Sequence, residues 1–132
     1  MDKHSDLVTI KTIRSDNDLQ IIHGYGDGGF RISGNRFRGS VFVTLRHTSL
    51  WSPPTPEQLT ASAIIDVAPG EIPPLLLLGV GAIPHSPLQT LADDLKQHGI
   101  ALELMSTAAA CRTWNVLISE GRNAAAALYA VT

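Results

Sequence analysis

The chain has 132 residues, of which 44% are hydrophobic and 17% are charged, so it has the size and apolar content of a globular domain and not those of a disordered protein. Its formal net charge is −2, which excludes the broad positive surface on which nonspecific attachment to nucleic acid or acidic membranes depends. Because no linker or internal repeat interrupts residues 1–132, they are expected to form a single domain.

The N-terminal residues show no targeting pattern. Met1–Lys11 mixes acidic, basic and polar side chains, unlike a signal peptide or an Arg-rich transit peptide. The longest aliphatic run, Leu75–Leu78, is far shorter than the roughly 20 apolar residues of a membrane span. Cys111 is the only cysteine, so no intrachain disulfide is possible and one thiol cannot build a structural zinc site. These features predict a soluble cytoplasmic protein without a membrane span.

The first half of the chain has the short, β-branched and aromatic runs that are typical of strands. The predicted strands are Val8–Ile13, Leu19–Ile22, Phe30–Ile32, Arg36–Phe37, Val41–Leu45 and Thr48–Trp51. Phe30–Ile32 and Arg36–Phe37 are joined by Ser33–Gly34–Asn35, and because Gly34 and Asn35 tolerate positive φ, a tight hairpin is predicted there. The glycine-rich stretch Gly24–Gly29 precedes a strand instead of a helix, so it is interpreted as a turn or bulge and not as a phosphate loop. This half is therefore expected to consist of β-hairpins.

A short helix is predicted between the two Pro-Pro pairs. Thr55 is placed at its N-cap, with Pro56 in the first turn and Gln58 three residues beyond the cap. Apolar residues then recur at helical spacing, namely Leu59, Ala63, Ile64 and Val67.

The second half alternates strands and helices. Leu75–Leu78 is apolar on both faces, as in a central strand, and Pro87–His98 has one apolar face and ends at Gly99. Ile100–Met105 alternates as a strand, and a second helix starts at Ser106 or Thr107 and runs to about Glu120. Asn123–Ala130 is helix-prone by composition, although it is too short and too apolar to assign from its pattern. The order of elements predicts an α/β sandwich with a mixed, partly parallel sheet and two main helices.

Three blocks, in this order, carry a resemblance to a known family. They are Gly28–Gly29–Phe30 to Gly39–Ser40, Gly79–Val80–Gly81 after an aliphatic strand, and Thr107–Leu117 followed by Glu120–Gly121–Arg122. The chain resembles the DUF498 family, a small group of unassigned activity in bacteria and archaea whose eukaryotic members include a mitochondrial complex I assembly factor and an adipogenesis-associated protein. The resemblance implies a three-layer fold around a central mixed β-sheet, with Asn123–Ala130 as its last strand.

The sequence departs from the family pattern at two positions. Val80 stands where the family usually has threonine, which removes a hydroxyl group from a loop that is a candidate for binding a ligand. Trp114 stands where the family usually has tyrosine, which keeps an aromatic ring.

One candidate site combines a glycine loop with a helix N-terminus. The loop Gly79–Gly81 follows a buried strand, and the helix near Thr107 follows another that is predicted to be parallel to it, so both are expected to border one crevice. Arg112 and Asn115 share a helix face. We therefore predict an anion site formed by Gly79, Gly81, Thr107, Arg112 and Asn115. The alternative is structural, with a tight glycine turn, Thr107 as N-cap only, and Arg112 paired with a carboxylate such as Glu120 or Asp66.

The remaining candidate residues give weaker indications of a catalytic or metal site. Cys111 lies among alanines without a Cys-His-Asn order, so packing is the expected role. The five histidines are single and have no helical i, i+4 pair, and His85 with Ser86 merely extends the glycine loop. Neither a metal site nor a cofactor nor a catalytic residue is therefore predicted.

Arginines interleaved with phenylalanines are a pattern that can indicate binding of single-stranded nucleic acid on a sheet face. The basic residues are Arg31, Arg36, Arg38 and Arg46, and the aromatic ones are Phe30, Phe37 and Phe42. On strands these are ordinary outward and inward positions, and the acidic net charge argues against nucleic-acid binding.

Two functions of different classes remain open. The first is a non-enzymatic interaction or assembly module, with Leu50, Trp51 and Arg112 in its interface and a protein partner or a second copy of the chain as its target. The second is a small-molecule or anion-binding protein, or an enzyme, that uses the Gly79–Gly81 loop and the Thr107 helix N-terminus.

Overall fold

The computed structural model describes residues 18–82 and 88–132. Its strands are β1 (Ile22–Gly26), β2 (Gly29–Ile32), β3 (Asn35–Arg38), β4 (Ser40–Val43), β5 (Thr48–Trp51), β6 (Leu75–Gly79), β7 (Ala101–Met105) and β8 (Ala125–Leu128). Its helices are a short 3-10 helix (Pro56–Gln58), α1 (Ala61–Val67), α2 (Gln89–Gln97) and α3 (Thr107–Ser119). Among these residues, no helix has both the length and the apolar character to cross a bilayer.

The strands form two sheets. The central sheet has the order β5-β4-β8-β6-β7, in which β6 is parallel to β7 and β8 while β4 is antiparallel to β5 and β8. The smaller sheet is the antiparallel meander β1-β2-β3. The prediction of a mixed central sheet preceded by β-hairpins is confirmed.

The central sheet is covered on both faces. In β6, Leu77 faces a core that includes α3 and the smaller sheet, whereas Leu76 and Leu78 face the core formed with α1 and α2. Because successive strand residues point to opposite faces, β6 needs apolar side chains at each position. The three-layer α/β sandwich is thereby confirmed.

The last strand runs through the middle of the central sheet. In β8, Ala125–Leu128 is completely buried and lies between β4 and β6. Alanine favours helices by propensity, but pairing on both sides and burial on both faces override that weak preference. The strand implied by the family resemblance is therefore present, and the helical composition was misleading.

The helix N-termini agree with one prediction and differ from another. Of the two residues predicted to cap α3, Ser106 caps it, by accepting a hydrogen bond of 3.2 Å from the Ala109 N–H. Thr60 caps α1 in the same way, whereas Thr55 precedes only the 3-10 helix and makes no side-chain cap bond. The single helix predicted from Thr55 is thus two short helices, because Leu59 adopts an extended conformation between them.

The hairpins also differ from their predicted positions. The β2–β3 turn consists of Ser33 and Gly34, which both have positive φ, and it is one residue shorter than the predicted connection Ser33–Gly34–Asn35 because Asn35 belongs to β3. β1 begins at Ile22 and continues into the predicted glycine-rich turn, with a bulge before Gly24. The predicted strand Val8–Ile13 lies outside the described residues, as do the beginning of the predicted helix at Pro87 and the loop residues His85 and Ser86.

Candidate functional site

The glycine loop after β6 and the first turn of α3 bind each other. The Gly81 N–H donates to Thr107 Oγ1 (2.9 Å), and the Thr107 N–H donates to the Gly81 carbonyl (2.9 Å). The Thr107 hydroxyl in turn donates to the Tyr129 carbonyl (2.7 Å) and is completely buried. The two segments are therefore adjacent, as predicted, but these groups satisfy one another.

Gly79 makes that contact possible. A Cβ atom at this position would lie 2.9 Å from Thr107 Cα and 3.1 Å from Ala110 Cβ. The absence of a side chain lets α3 approach the end of β6, which is a packing requirement. The anion site at Gly79, Gly81 and Thr107 stays a prediction, and a ligand there would have to compete with the contacts between Gly81 and Thr107.

Asn115 supports the edge of β1. Its amide nitrogen donates to the Ile22 carbonyl (2.9 Å), and its Oδ1 accepts from the Ile22 N–H (2.9 Å). Beside it, Trp114 Nε1 donates to the Gln20 carbonyl (2.7 Å). A strand edge without a neighbour leaves backbone donors and acceptors unpaired, and these side chains satisfy them. Asn115 thus turns towards β1, away from the solvent that surrounds Arg112.

The predicted interface residues separate in space. Leu50 is exposed, whereas Trp51 is buried and makes an edge contact with the Tyr129 ring at a centroid distance of 5.9 Å. The two residues are neighbours in β5, so their side chains point to opposite faces of the sheet. Trp51 therefore belongs to the core, and only Leu50 is available at the surface.

β1 and α3 pack against each other, and most of the exposed large hydrophobic side chains lie on or beside these two elements. Of the four large hydrophobic side chains that are exposed among residues 18–82 and 88–132, three are on these elements or next to them: Ile21, Tyr25 and Val116. Arg112 lies one helical turn before Val116, is exposed, and forms no ion pair with a carboxylate of the described residues. We call Ile21, Tyr25, Arg112 and Val116 the seam surface, because Asn115 joins its two elements.

Sequence reasoning identified Arg112 but missed Tyr25 and Val116. The outward position of Val116 follows from its place one turn after Arg112, so helical periodicity contains a signal for it. No such signal exists for Tyr25, because its exposure depends on β1 being the edge strand of the smaller sheet.

Cys111 is buried on the inner face of α3. Burial raises the pKa of its thiol from 9.0 to about 12, against a smaller lowering by the Arg112 guanidinium. Only the thiolate is a nucleophile. The buried position therefore favours packing over catalysis. Among the described residues, no group of three histidine, cysteine, aspartate or glutamate side chains has a metal-binding arrangement.

We expect iodoacetamide at pH 8 to leave Cys111 unmodified in the folded protein and to alkylate it fully in guanidinium chloride. At a pKa of about 12, roughly one thiol in ten thousand is ionised at that pH. The unfolded thiol loses its proton near pH 9 while the folded one keeps it, so this group reduces stability as the pH rises from 9 towards 12. Mass spectrometry measures the alkylation, and rapid modification of the folded protein would contradict the expectation.

Comparison with known proteins places the chain in a family. The model of the family described as "Protein of unknown function (DUF498/DUF598)" matches residues 22–129. An uncharacterized protein of Rhodobacter capsulatus is 40% identical over 108 residues, which cover 81% of this chain and 82% of the relative.

Two further matches are to a protein of a vertebrate and to a solved bacterial structure. The NADH dehydrogenase [ubiquinone] 1 alpha subcomplex assembly factor 3 of Danio rerio is 33% identical over 110 residues, which cover 82% of this chain and 63% of that protein. The crystal structure of a protein from Bartonella henselae, described as an outer membrane protein, aligns with a TM-score of 0.70 at 31% identity and covers 88% of this chain and 98% of that one. The chain belongs to the DUF498/DUF598 family of proteins of unknown function.

Proposed function

We propose that this protein is a non-enzymatic module that binds a protein partner during the assembly of a larger complex. The observation that carries the proposal is the seam surface, which gathers three of the four exposed large hydrophobic side chains of the described residues on two adjoining elements. Four relatives, from fish to mammals, bear the name of an NADH dehydrogenase assembly factor. A subunit of a multiprotein respiratory complex is accordingly the proposed class of partner.

The seam surface has the composition of a binding surface. Clustered apolar side chains in water are unfavourable unless a partner covers them. Tyrosine and arginine are enriched among the residues that dominate binding energies, and the seam surface presents Tyr25 and Arg112 beside Ile21 and Val116. The two hydrogen bonds between Asn115 and Ile22 hold β1 against α3 in the free protein. A partner would therefore meet a preorganised surface.

The alternative function, binding of a small molecule or anion at the Gly79–Gly81 loop with or without catalysis, has less support. The Gly81 N–H and the Thr107 hydroxyl already have partners, and burial holds Cys111 in its unreactive form. A buried thiol without a disulfide also suits a reducing compartment. We propose the cytoplasm as its location on that basis.

Val116→Asp is expected to abolish capture of the partner while leaving the fold intact. Val116 is 54% exposed, so the substitution costs little stability, but a carboxylate in a desolvated apolar interface costs binding free energy. The tagged protein is used as bait in extracts of the cells that make it. Captured respiratory-complex subunits are quantified by mass spectrometry, and we expect their recovery to fall at least tenfold, with a smaller loss for Arg112→Ala.

Thr90→Asp is the matched control, because Thr90 is exposed on α2 in the opposite layer. Unchanged recovery with Val116→Asp would contradict the use of the seam surface. If the bait captured only its own untagged copy, and Val116→Asp converted a dimer to a monomer in light scattering, the partner would be a second copy of this chain.

A further inference from the structure

Three arginines lie on the outer face of the smaller sheet. Arg31 of β2 pairs in register with Arg36 of β3, and Arg38 lies two residues further along the same face. All three side chains are exposed, whereas the intervening Phe30 is buried and Phe37 packs against the core. The alternation of strand residues therefore separates an apolar inner face from a cationic outer face.

Glycines occupy the positions of β1 and β2 that lie next to the Arg31–Arg36 pair. Gly24 is the register partner of Arg31 on the other side, and Gly26 pairs with Gly29. A cavity of about 180 Å³ is lined by these three glycines together with Arg31, Arg36, Asp27, Tyr25 and Phe30. Because glycine has no side chain, the two guanidinium groups border an open space with peptide backbone at its base.

This arrangement does not stabilise the fold by itself. Like charges directly opposite each other on neighbouring strands are destabilising. None of the three arginines forms an ion pair with a carboxylate in the described parts of the chain. Two planar donor groups that flank an open cavity suit an anion with several oxygens, since an arginine can donate two parallel hydrogen bonds to a phosphate.

We propose that the outer face of β1-β2-β3 binds a terminal phosphoryl group through Arg31 and Arg36, with Arg38 adding positive charge beside them. The cavity volume suits one or two phosphoryl groups. Single-stranded nucleic acid fits less well, because its binding uses exposed aromatic rings on which successive bases stack, and of the two aromatic residues at the cavity only Tyr25 is exposed while Phe30 is 1% exposed. Tyr25 lines this cavity and also belongs to the seam surface, so the two sites adjoin. The phosphoryl site rests on Arg31 and Arg36, which are not part of the seam surface, so it adds a ligand to the proposed function and does not depend on it.

The test is titration of ¹⁵N-labelled protein with inorganic pyrophosphate at constant ionic strength. We expect saturable shifts of the Gly24, Gly26 and Gly29 amides. Arg31→Gln and Arg36→Gln should each weaken binding by about tenfold or more, because each removes a charged bidentate donor. Asp27→Asn should tighten binding, because it removes a negative charge at the cavity and asparagine tolerates the positive φ of this position.

Arg122→Gln is the control, since it removes the same charge from an exposed arginine beyond the end of α3. A phosphoserine peptide is titrated in parallel, and the tighter of the two phosphoryl ligands identifies a small molecule or a modified protein as the source. Absence of saturable shifts, or an equal loss in Arg122→Gln, would overturn the proposal. Tighter binding of hexaglutamate or of an oligothymidylate would also overturn it, by identifying an acidic protein or a nucleic acid instead.

Discussion

Trp114→Ala is expected to lower the free energy of unfolding by about 3–5 kcal/mol, the usual cost of removing a large aromatic side chain from a core. Trp114 is completely buried on α3, in the core shared with the smaller sheet. Its Nε1–H also holds the segment before β1 through the Gln20 carbonyl. Alanine therefore removes both the packing and the attachment of the entry to β1. Urea unfolding followed by circular dichroism measures the effect.

Trp114→Phe separates the two contributions. Phenylalanine keeps most of the apolar volume but has no donor, so the Gln20 carbonyl loses its partner, at a cost of about 1–3 kcal/mol. Val116→Ala, at an exposed position of the same helix, is expected to change stability by about 0.5 kcal/mol or less. If Trp114→Phe were as stable as the original protein, the hydrogen bond to Gln20 would contribute nothing to the attachment of β1.

The central elements were predictable because their patterns are strong and local. β6 is aliphatic at successive positions, as a strand buried on both faces must be, and α2 has alternating apolar and charged faces that end before Gly99. The start of α3 followed from the capping residues at 106 and 107. In each case the information lies within a few residues of the element itself.

An error of one residue in the predicted β2–β3 turn changes which side chains face each other across the two strands. The predicted three-residue connection Ser33–Gly34–Asn35 would place Phe37 opposite Arg31, whereas the observed turn at Ser33 and Gly34 places Arg36 there. Serine rarely adopts the positive φ that Ser33 has, so the sequence did not indicate that the turn is one residue shorter. Because register decides which side chains meet, the arginine pair was visible only in the structure.

The seam surface depends on contacts between distant parts of the chain. Asn115 and Ile22 are separated by 93 positions, and nothing in the neighbourhood of either residue indicates the other. Periodicity placed Asn115 on a face with Arg112, but in the folded chain its amide forms two hydrogen bonds with the Ile22 backbone. Whether Asn115 supports β1 or faces solvent therefore depends on tertiary contacts that the local sequence does not show.

Gly79→Ala is expected to lower the free energy of unfolding by about 3 kcal/mol, near the upper end of the usual cost of overpacking a core. The new methyl group would lie 2.9 Å from the Thr107 backbone and 3.1 Å from the Leu128 side chain, and both of these residues are completely buried. Chemical unfolding of the purified variant measures the loss.

Gly70→Ala is the matched control, because a Cβ atom there would meet nothing within 4 Å and its φ is not positive. It is expected to be neutral or slightly stabilising, since alanine restricts the unfolded chain.

The comparison of Gly79→Ala with Gly70→Ala distinguishes the two interpretations of the Gly79–Gly81 loop. If Gly79 is needed for helix packing, its replacement must destabilise the fold. If it is needed for anion binding, its replacement would weaken ligand binding and leave stability unchanged. A stable Gly79→Ala variant would therefore return the loop to the candidate ligand sites, and an unstable one would assign Gly79 to the joint between β6 and α3.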